Sequence, residues 1–253
     1  MVLFTNDTLQ GKTAVVTGTT RGIGKSIAVA MAEAGADLAL IQRSSNDETK
    51  REIEALGVNC TIFPCDLNNV EEIKAVIPEI NRTMGSIDIL VNNAGIQKRH
   101  PAAEFPEEDW DQVMDINLKA VWILCQEAGK LMVSKGDGKI VNVASLLSFQ
   151  GGINVPAYAS AKGAVAQLTK ALANEWAPKG VNVNALVPGY IATEMNTALI
   201  HDSTRSRQIL ERIPAGRWGE ADDFKGPAVF LASPESNYVH GHLLAVDGGW
   251  MGR

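Results

Sequence analysis

The sequence predicts an α/β fold built on one doubly wound, seven-stranded parallel sheet with helices on both faces. Two observations lead there. Short apolar, β-rich runs alternate along nearly all of the 253 residues with longer stretches of helical periodicity, and the spacers are long enough for the crossover that parallel strands require. The glycine-rich and small polar clusters also fall just after those runs, on the edge where an open α/β sheet holds its ligands.

The strand candidates, in order, are "TAVVTG" (13–18), "DLALIQ" (37–42), "CTIF" (60–63), "IDILVNN" (87–93), "KIVNVAS" (139–145), "VNVNALV" (181–187) and "HLLAVDG" (242–248). Each is short and apolar, as strands buried on both faces are. After the first comes "KSIAVAMAEAG", where Ile27, Ala28, Met31 and Ala34 recur at helical spacing. An amphipathic helix is expected from about 109 to 133, and another from Pro156 to Trp176, whose apolar stripe runs Ala157, Ala161, Val165, Leu168, Leu172. The stretch after the sixth strand, 188–219, exceeds a usual loop and is expected to form a helical lid over about 190–215. No linker, repeat or low-complexity tract interrupts the chain, so residues 1–253 are expected to form a single domain.

A composition of 45% hydrophobic and 21% charged residues supports a large core. The formal charge of −6, with Lys and Arg scattered, would repel a polyphosphate backbone, which argues against nucleic acid as a partner. "MVLFTNDTLQGK" has neither a positive n-region nor a long apolar run, and no later stretch reaches the roughly 18 apolar residues of a membrane span. A soluble, cytoplasmic protein with no membrane partner is expected. Cys60, Cys65 and Cys125 are an odd number without zinc-like spacing and read as reduced, partly buried thiols. The alternating histidines of "HGH" (240–242) have no third ligand in view; they read as a loop entering a strand, and no metal is expected.

The loops converge on one rim. "GTTRGIG" (18–24) lies between the first strand and its helix, where glycines permit a tight turn and backbone N–H groups at a helix N-terminus receive a pyrophosphate. Asp66, after the third strand, either accepts from an adenine amine or caps the following helix. "NNAG" (92–95) is either a capped turn or a place where backbone approaches a ribose. The arrangement is Rossmann-like.

"YASAKG" (158–163) puts Tyr158 and Lys162 one helical turn apart, within roughly 40° of each other and near the azimuth of Val165. An inward lysine is costly unless a charge nearby needs it. An ordinary tyrosine, with a pKa of about 10, exchanges its proton poorly near neutrality, and an adjacent ammonium would lower that value. Ser145 can supply a second hydrogen bond to the same oxygen. Such a set suits carbonyl reduction, in which hydride reaches carbon while one hydroxyl holds the oxygen and another protonates it. Asn117, alone, is a polar neighbour, a helix irregularity, or an anchor for a water or the lysine.

With "TGTTRGIG", "NNAG", Asn117, Ser145, "YASAK" and "PGYIAT" in this order, the sequence resembles the short-chain dehydrogenase/reductase family over nearly its full length. The resemblance implies a catalytic set of Asn117, Ser145, Tyr158 and Lys162, with Lys162 also bonding the nicotinamide ribose and Ile191 and Thr193 contacting the nicotinamide amide. Motifs and resemblance together give the cofactor set Gly18, Thr20, Arg21, Ile23, Gly24, Arg43, Asp66, Leu67, Asn93, Ala94, Gly95, Tyr158, Lys162, Pro188, Gly189, Ile191 and Thr193. It also implies a homotetramer with the last strand and tail at an interface; Trp250 and Met251 are read as interface residues, with a tail folded on its own subunit as the alternative.

"LSFQGG" and "RIPAGRWG" resemble the branch of 2-deoxy-D-gluconate 3-dehydrogenases and 2-keto-3-deoxygluconate-type dehydrogenases, which implies a small polyhydroxylated sugar acid as substrate. Gln150, Arg99 and Arg217, with Lys98, are the candidate substrate contacts; solvated charges or subunit contacts are the alternative. A reductase of a bulky secondary-metabolite ketone would share all the chemistry, and a nucleotide-binding sensor or scaffold without turnover would lack the Tyr and Lys that this chain has. For the cofactor, an acidic residue at the end of the second strand usually selects NAD, yet this chain has Gln42 and Arg43. Arg43 with Arg21 could clamp a 2′-phosphate. NADP(H) is the expected cofactor, and NAD(H), with Gln42 on the ribose hydroxyls, is the alternative.

Overall fold

The computed structural model describes residues 7–44 and 46–253; the opening residues 1–6 and Ser45, in the loop after the second strand, lie outside them. Seven strands are present: β1 (Thr13–Thr17), β2 (Asp37–Gln42), β3 (Cys60–Pro64), β4 (Ile89–Asn92), β5 (Gly138–Val143), β6 (Val181–Pro188) and β7 (Leu243–Val246). They form one sheet in the order β3-β2-β1-β4-β5-β6-β7, every pairing parallel.

The helices are α1 (Gly22–Glu33), α2 (Glu48–Glu54), α3 (Val70–Met84), α4 (Glu107–Met114), α5 (Ala120–Lys135), α6 (Pro156–Trp176), α7 (Thr197–His201), α8 (Ser203–Arg212) and α9 (Lys225–Ala232). Alternation along β1 explains the layering. Val15 faces the side packed by α3, α5 and α6, while Ala14 and Val16 face the side packed by α1, α2 and α9. All five residues of β1 are buried, as a strand covered on both faces must be.

The helix expected over 109–133 is interrupted. A π-turn, Asp115–Lys119, separates α4 from α5, and such turns occur often at functional sites. The segment expected as a lid carries α7 and α8; only Ile209 of α8 is buried, so the rest of that helix stands in solvent. No helix among the described residues is long and apolar enough to cross a membrane, and they contain no cluster of metal-ligating side chains.

Candidate active site

The reversal in strand order lies between β1 and β4, and the loops at the carboxyl ends of these two strands interlock. Thr17 Oγ1 accepts from the backbone N–H groups of Asn93 and Ala94, at 3.0 and 2.9 Å. Asn93 Nδ2 in turn donates to the carbonyls of Thr17 and Gly18, at 3.0 and 3.2 Å. Asn93 therefore braces the glycine loop from below. The contact is so close that a side chain on Gly24 would collide with that amide, and one on Gly18, at φ +69, would come within 2.9 Å of Ala94 Cα. The first turn of α1 has no side-chain cap, because Arg21 occupies the N-cap position without bonding it. Its free N–H groups and the absent Cβ atoms make a cradle that fits the diphosphate of a dinucleotide.

At the end of β2 the two cationic candidates part company. Arg43 is exposed and has no ion pair among the described residues. Arg21 is paired with Glu194, Nη1 to Oε2 at 3.0 Å, on the segment after β6, both side chains being largely exposed. Gln42 is buried and its amide is fully engaged: Oε1 accepts from Thr19 Oγ1 at 2.9 Å, and Nε2 donates to the carbonyls of Ser44 and Asn46 at 2.8 and 2.6 Å. It shapes the loop carrying Arg43 and is not presented to a ribose. Asp66 Oδ1 accepts from Asn68 N and Nδ2 in a local turn, at 3.0 and 3.1 Å, whereas Asn69 caps α3. The capping alternative for Asp66 thus falls to Asn69, and Leu67 beside it is packed on the core.

Ser145 ends the loop entry after β5, and Tyr158 and Lys162 occupy the first two turns of α6. Pro156 starts that helix at a position where its missing N–H costs nothing. Lys162 is 3% exposed, donates from Nζ to the Val143 carbonyl at 2.6 Å, and lies 5.7 Å from the Tyr158 ring centre. Burial pulls its ammonium down to about 8. Burial also raises the Tyr158 pKa above its ordinary value; a hydrogen bond from Ser145 and the charge of Arg99 oppose that rise without cancelling it. The expected lowering of Tyr158 is thus outweighed, because the phenol loses its water before any neighbour repays the charged form. In this state Tyr158 is a neutral proton donor.

Asn117 sits in the π-turn, fully buried, and exchanges two hydrogen bonds with Ile96: Oδ1 accepts from its N–H and Nδ2 donates to its carbonyl, both at 2.8 Å. Its amide holds the loop after β4 rather than Lys162. Across the cleft, Ile191 is buried and bridges Gly219, Thr193 approaches Gly22, and Gly189 packs on Asp247 so closely that a Cβ there would lie 2.6 Å from Asp247 Cα.

Of the substrate candidates, Arg99 faces a cavity of about 290 Å³ together with Ile153, Asn154, Leu199 and Arg205. The other two are spent elsewhere. Arg217 makes a bidentate pair with Asp223, at 2.8 and 2.7 Å, and holds that carboxyl near 2. Gln150 accepts from Trp250 Nε1 at 3.1 Å. Lys98 pairs with Asp109 at 2.9 Å. Trp250 is 4% exposed, packed against Tyr190 and covered by Arg212, so its ring folds on its own chain, as in the alternative, while Met251 beside it is exposed. Arg205 was not legible beforehand: it is one of several arginines in a polar helix, and nothing in "STRSRQILER" marks which one borders the cavity.

The family model described as enoyl-(acyl carrier protein) reductase matches residues 18–251. A curated 2-dehydro-3-deoxy-D-gluconate 5-dehydrogenase from Pseudoalteromonas atlantica is 55% identical over 97% of this chain and 98% of its own, and one of the same description from Bacillus subtilis is 54% identical over 97% and 96%. A solved gluconate 5-dehydrogenase from Burkholderia cenocepacia, in complex with NADP and tartrate, superposes with a TM-score of 0.94 at 39% identity, covering 98% of each chain.

Proposed function

The chain belongs to the short-chain dehydrogenase/reductase family, and from that premise we propose that it interconverts a secondary alcohol and a ketone on a gluconate-type sugar acid, with NADP(H) as hydride carrier. One observation carries the reading. The Ser145 and Tyr158 hydroxyls are hydrogen-bonded, the buried Lys162 ammonium lies 5.7 Å from the Tyr158 ring centre, and Arg99, whose charge acts on Tyr158, brings an unpaired positive charge to a cavity.

The bound nicotinamide supplies or accepts the hydride. The residues of this chain do the rest. In the reducing direction the Ser145 hydroxyl donates a hydrogen bond to the carbonyl oxygen, and Tyr158 delivers its phenolic proton to that oxygen as charge develops. Lys162, held by the Val143 carbonyl, stabilises the phenolate left behind. In the oxidising direction the same phenolate takes the alcohol proton. Asn117 acts through Ile96, keeping the loop that bears Gly95 and Arg99 against the cleft. The α1 N-terminus would hold the diphosphate and Arg43 the 2′-phosphate, a role supported by the withdrawal of Gln42 into the loop. Arg99 would take the substrate carboxylate, and α7 and α8 would form the lid.

A homotetramer in the cytoplasm completes the reading. In support, β7 lies at the sheet edge with its side chains only partly covered, and Trp122 on α5 is 46% exposed. The test is a panel of sugar acids, their keto forms and bulky cyclic ketones, assayed by nicotinamide absorbance with both cofactors. Turnover highest on a keto sugar acid with NADPH is expected. Preference for ketones lacking a carboxylate would overturn the substrate.

A further inference from the structure

The cavity that Arg99 faces is lined by two arginines and no carboxylate, and the Arg99 charge is near enough to act on Tyr158. Arg99 arrives from the loop after β4, Arg205 from the first turn of α8, and Ile153, Asn154 and Leu199 complete the wall. Neither guanidinium has an ion pair among the described residues: Arg99 donates to Gln97 Oε1 at 2.8 Å and Arg205 to Gln208 Oε1 at 3.4 Å, both neutral acceptors. Asp202 is near Arg205 but caps α8 through the backbone N–H groups of Thr204 and Arg205. The neighbouring Arg207 and Arg217, by contrast, each have a carboxylate. Like charges facing one space repel, and the Arg205 charge works with burial to disfavour the Arg99 guanidinium.

The two arms differ in footing. The Arg99 loop is fastened at Ile96 by Asn117 and at His100, whose N–H donates to the Asn154 carbonyl at 3.1 Å. Asn154 is the one non-glycine residue with positive φ among the described residues, at 63°, and such strain persists where the surroundings fix it. Arg205, on a helix with a single buried residue, has the freer footing.

We propose that Arg205 is the second arm of a carboxylate clamp: the acid group of the substrate bridges the Arg99 and Arg205 guanidiniums and draws α8 over the reacting carbonyl. The proposal rests on the sugar-acid reading above. Each planar fork can take one or both carboxylate oxygens, and the bridging anion offsets the repulsion between the two guanidiniums. The carboxylate thereby has more to gain in the closed state than in the open one, which is what a ligand needs to shift that equilibrium. A neutral ketose of the same length would reach Tyr158 without closing the lid.

The test uses the full-length protein loaded with NADPH, as wild type, Arg205→Gln and Arg205→Lys. Tartrate, a hydroxylated carboxylate that NADPH cannot reduce at a carbonyl, is titrated calorimetrically, and kcat/KM is measured for a keto sugar acid and for the matching neutral ketose. Arg205→Gln should weaken tartrate at least tenfold, lower kcat/KM on the acid at least tenfold and lower it far less on the ketose, with Arg205→Lys in between. An unchanged Tm shows that the fold is intact. If wild type prefers the acid and Arg205→Gln keeps both that preference and its tartrate affinity, the clamp is wrong and the sugar-acid reading stands. If wild type does not prefer the acid, both fall.

Discussion

Asn117 and Ile96 exchange two hydrogen bonds, 2.8 Å in each direction, so that one side-chain amide stands in for a missing piece of backbone pairing. Asn117→Ala would leave the Ile96 N–H and carbonyl without partners in a largely buried setting, a loss of about 1 to 3 kcal/mol. We expect Tm to fall by several degrees and kcat to fall at least tenfold, because Gly95 and Arg99 ride on the same loop. Thermal melts and steady-state rates on the single variant check this; a silent variant would show that the loop holds itself.

Tyr158 carries its proton well above neutrality because burial raises its pKa. The sign follows for each direction. Alcohol oxidation needs the phenolate, so its kcat/KM should climb with pH through the neutral range; reduction needs the phenol, so its kcat/KM should not climb. Tyr158→Phe should lower both by about 10² or more while NADPH binding, followed by fluorescence, stays within a few-fold. A reduction rate that rose with pH would remove Tyr158 from the proton-donor role.

Arg43 is expected to separate the two cofactors. A charge-assisted contact to a 2′-phosphate contributes about 1.5 to 3 kcal/mol, roughly one to two decades. Arg43→Ala should therefore cut the NADP(H) over NAD(H) ratio of kcat/KM at least tenfold. Arg21→Ala should cut it far less, since Arg21 is turned toward Glu194. Equal effects of the two would restore the two-arginine clamp.

The thiols make an independent check on the core. Burial pushes Cys60 and Cys125 up to about 12 and Cys65 to about 11, and the thiolate is the species that alkylates. Native protein at pH 8 should take up no iodoacetamide over an hour, whereas the unfolded chain should take up three equivalents by mass. Labelling of the native form would show an opening of the sheet edge or of α5.

The strands were legible because a strand buried on both faces has no polar side to confuse the pattern. β4 begins two residues later than "IDILVNN" suggests, although Asp88 just before it still donates its N–H to the Thr13 carbonyl at 3.0 Å, while its carboxylate accepts from Thr13 N–H at 2.8 Å and pairs with Lys135. The glycine loop, Ser145, Tyr158 and Lys162 were legible because their spacing is local to single turns. What escaped depends on partners distant in sequence. "DINLK" has ordinary helical composition, and the Asn117 amide of its π-turn finds its partner in Ile96, 21 residues earlier. Gln42 looked free until Thr19 took its oxygen, and Arg217 looked free until Asp223 took its guanidinium.

The strand order has a consequence for the chain as it is made. Ala14 pairs with Leu38 on one side and with Ile89 on the other, so β1 gains its first neighbour early and its second only after some 75 further residues have emerged. At about 5 to 20 residues per second that interval is roughly 4 to 15 seconds. Throughout it, a strand with the apolar centre Ala14, Val15 and Val16 shows an open edge of the kind that recruits other chains. Until β4 arrives the nascent chain carries this unpaired edge, and its arrival both seals the edge and forms the crevice between β1 and β4.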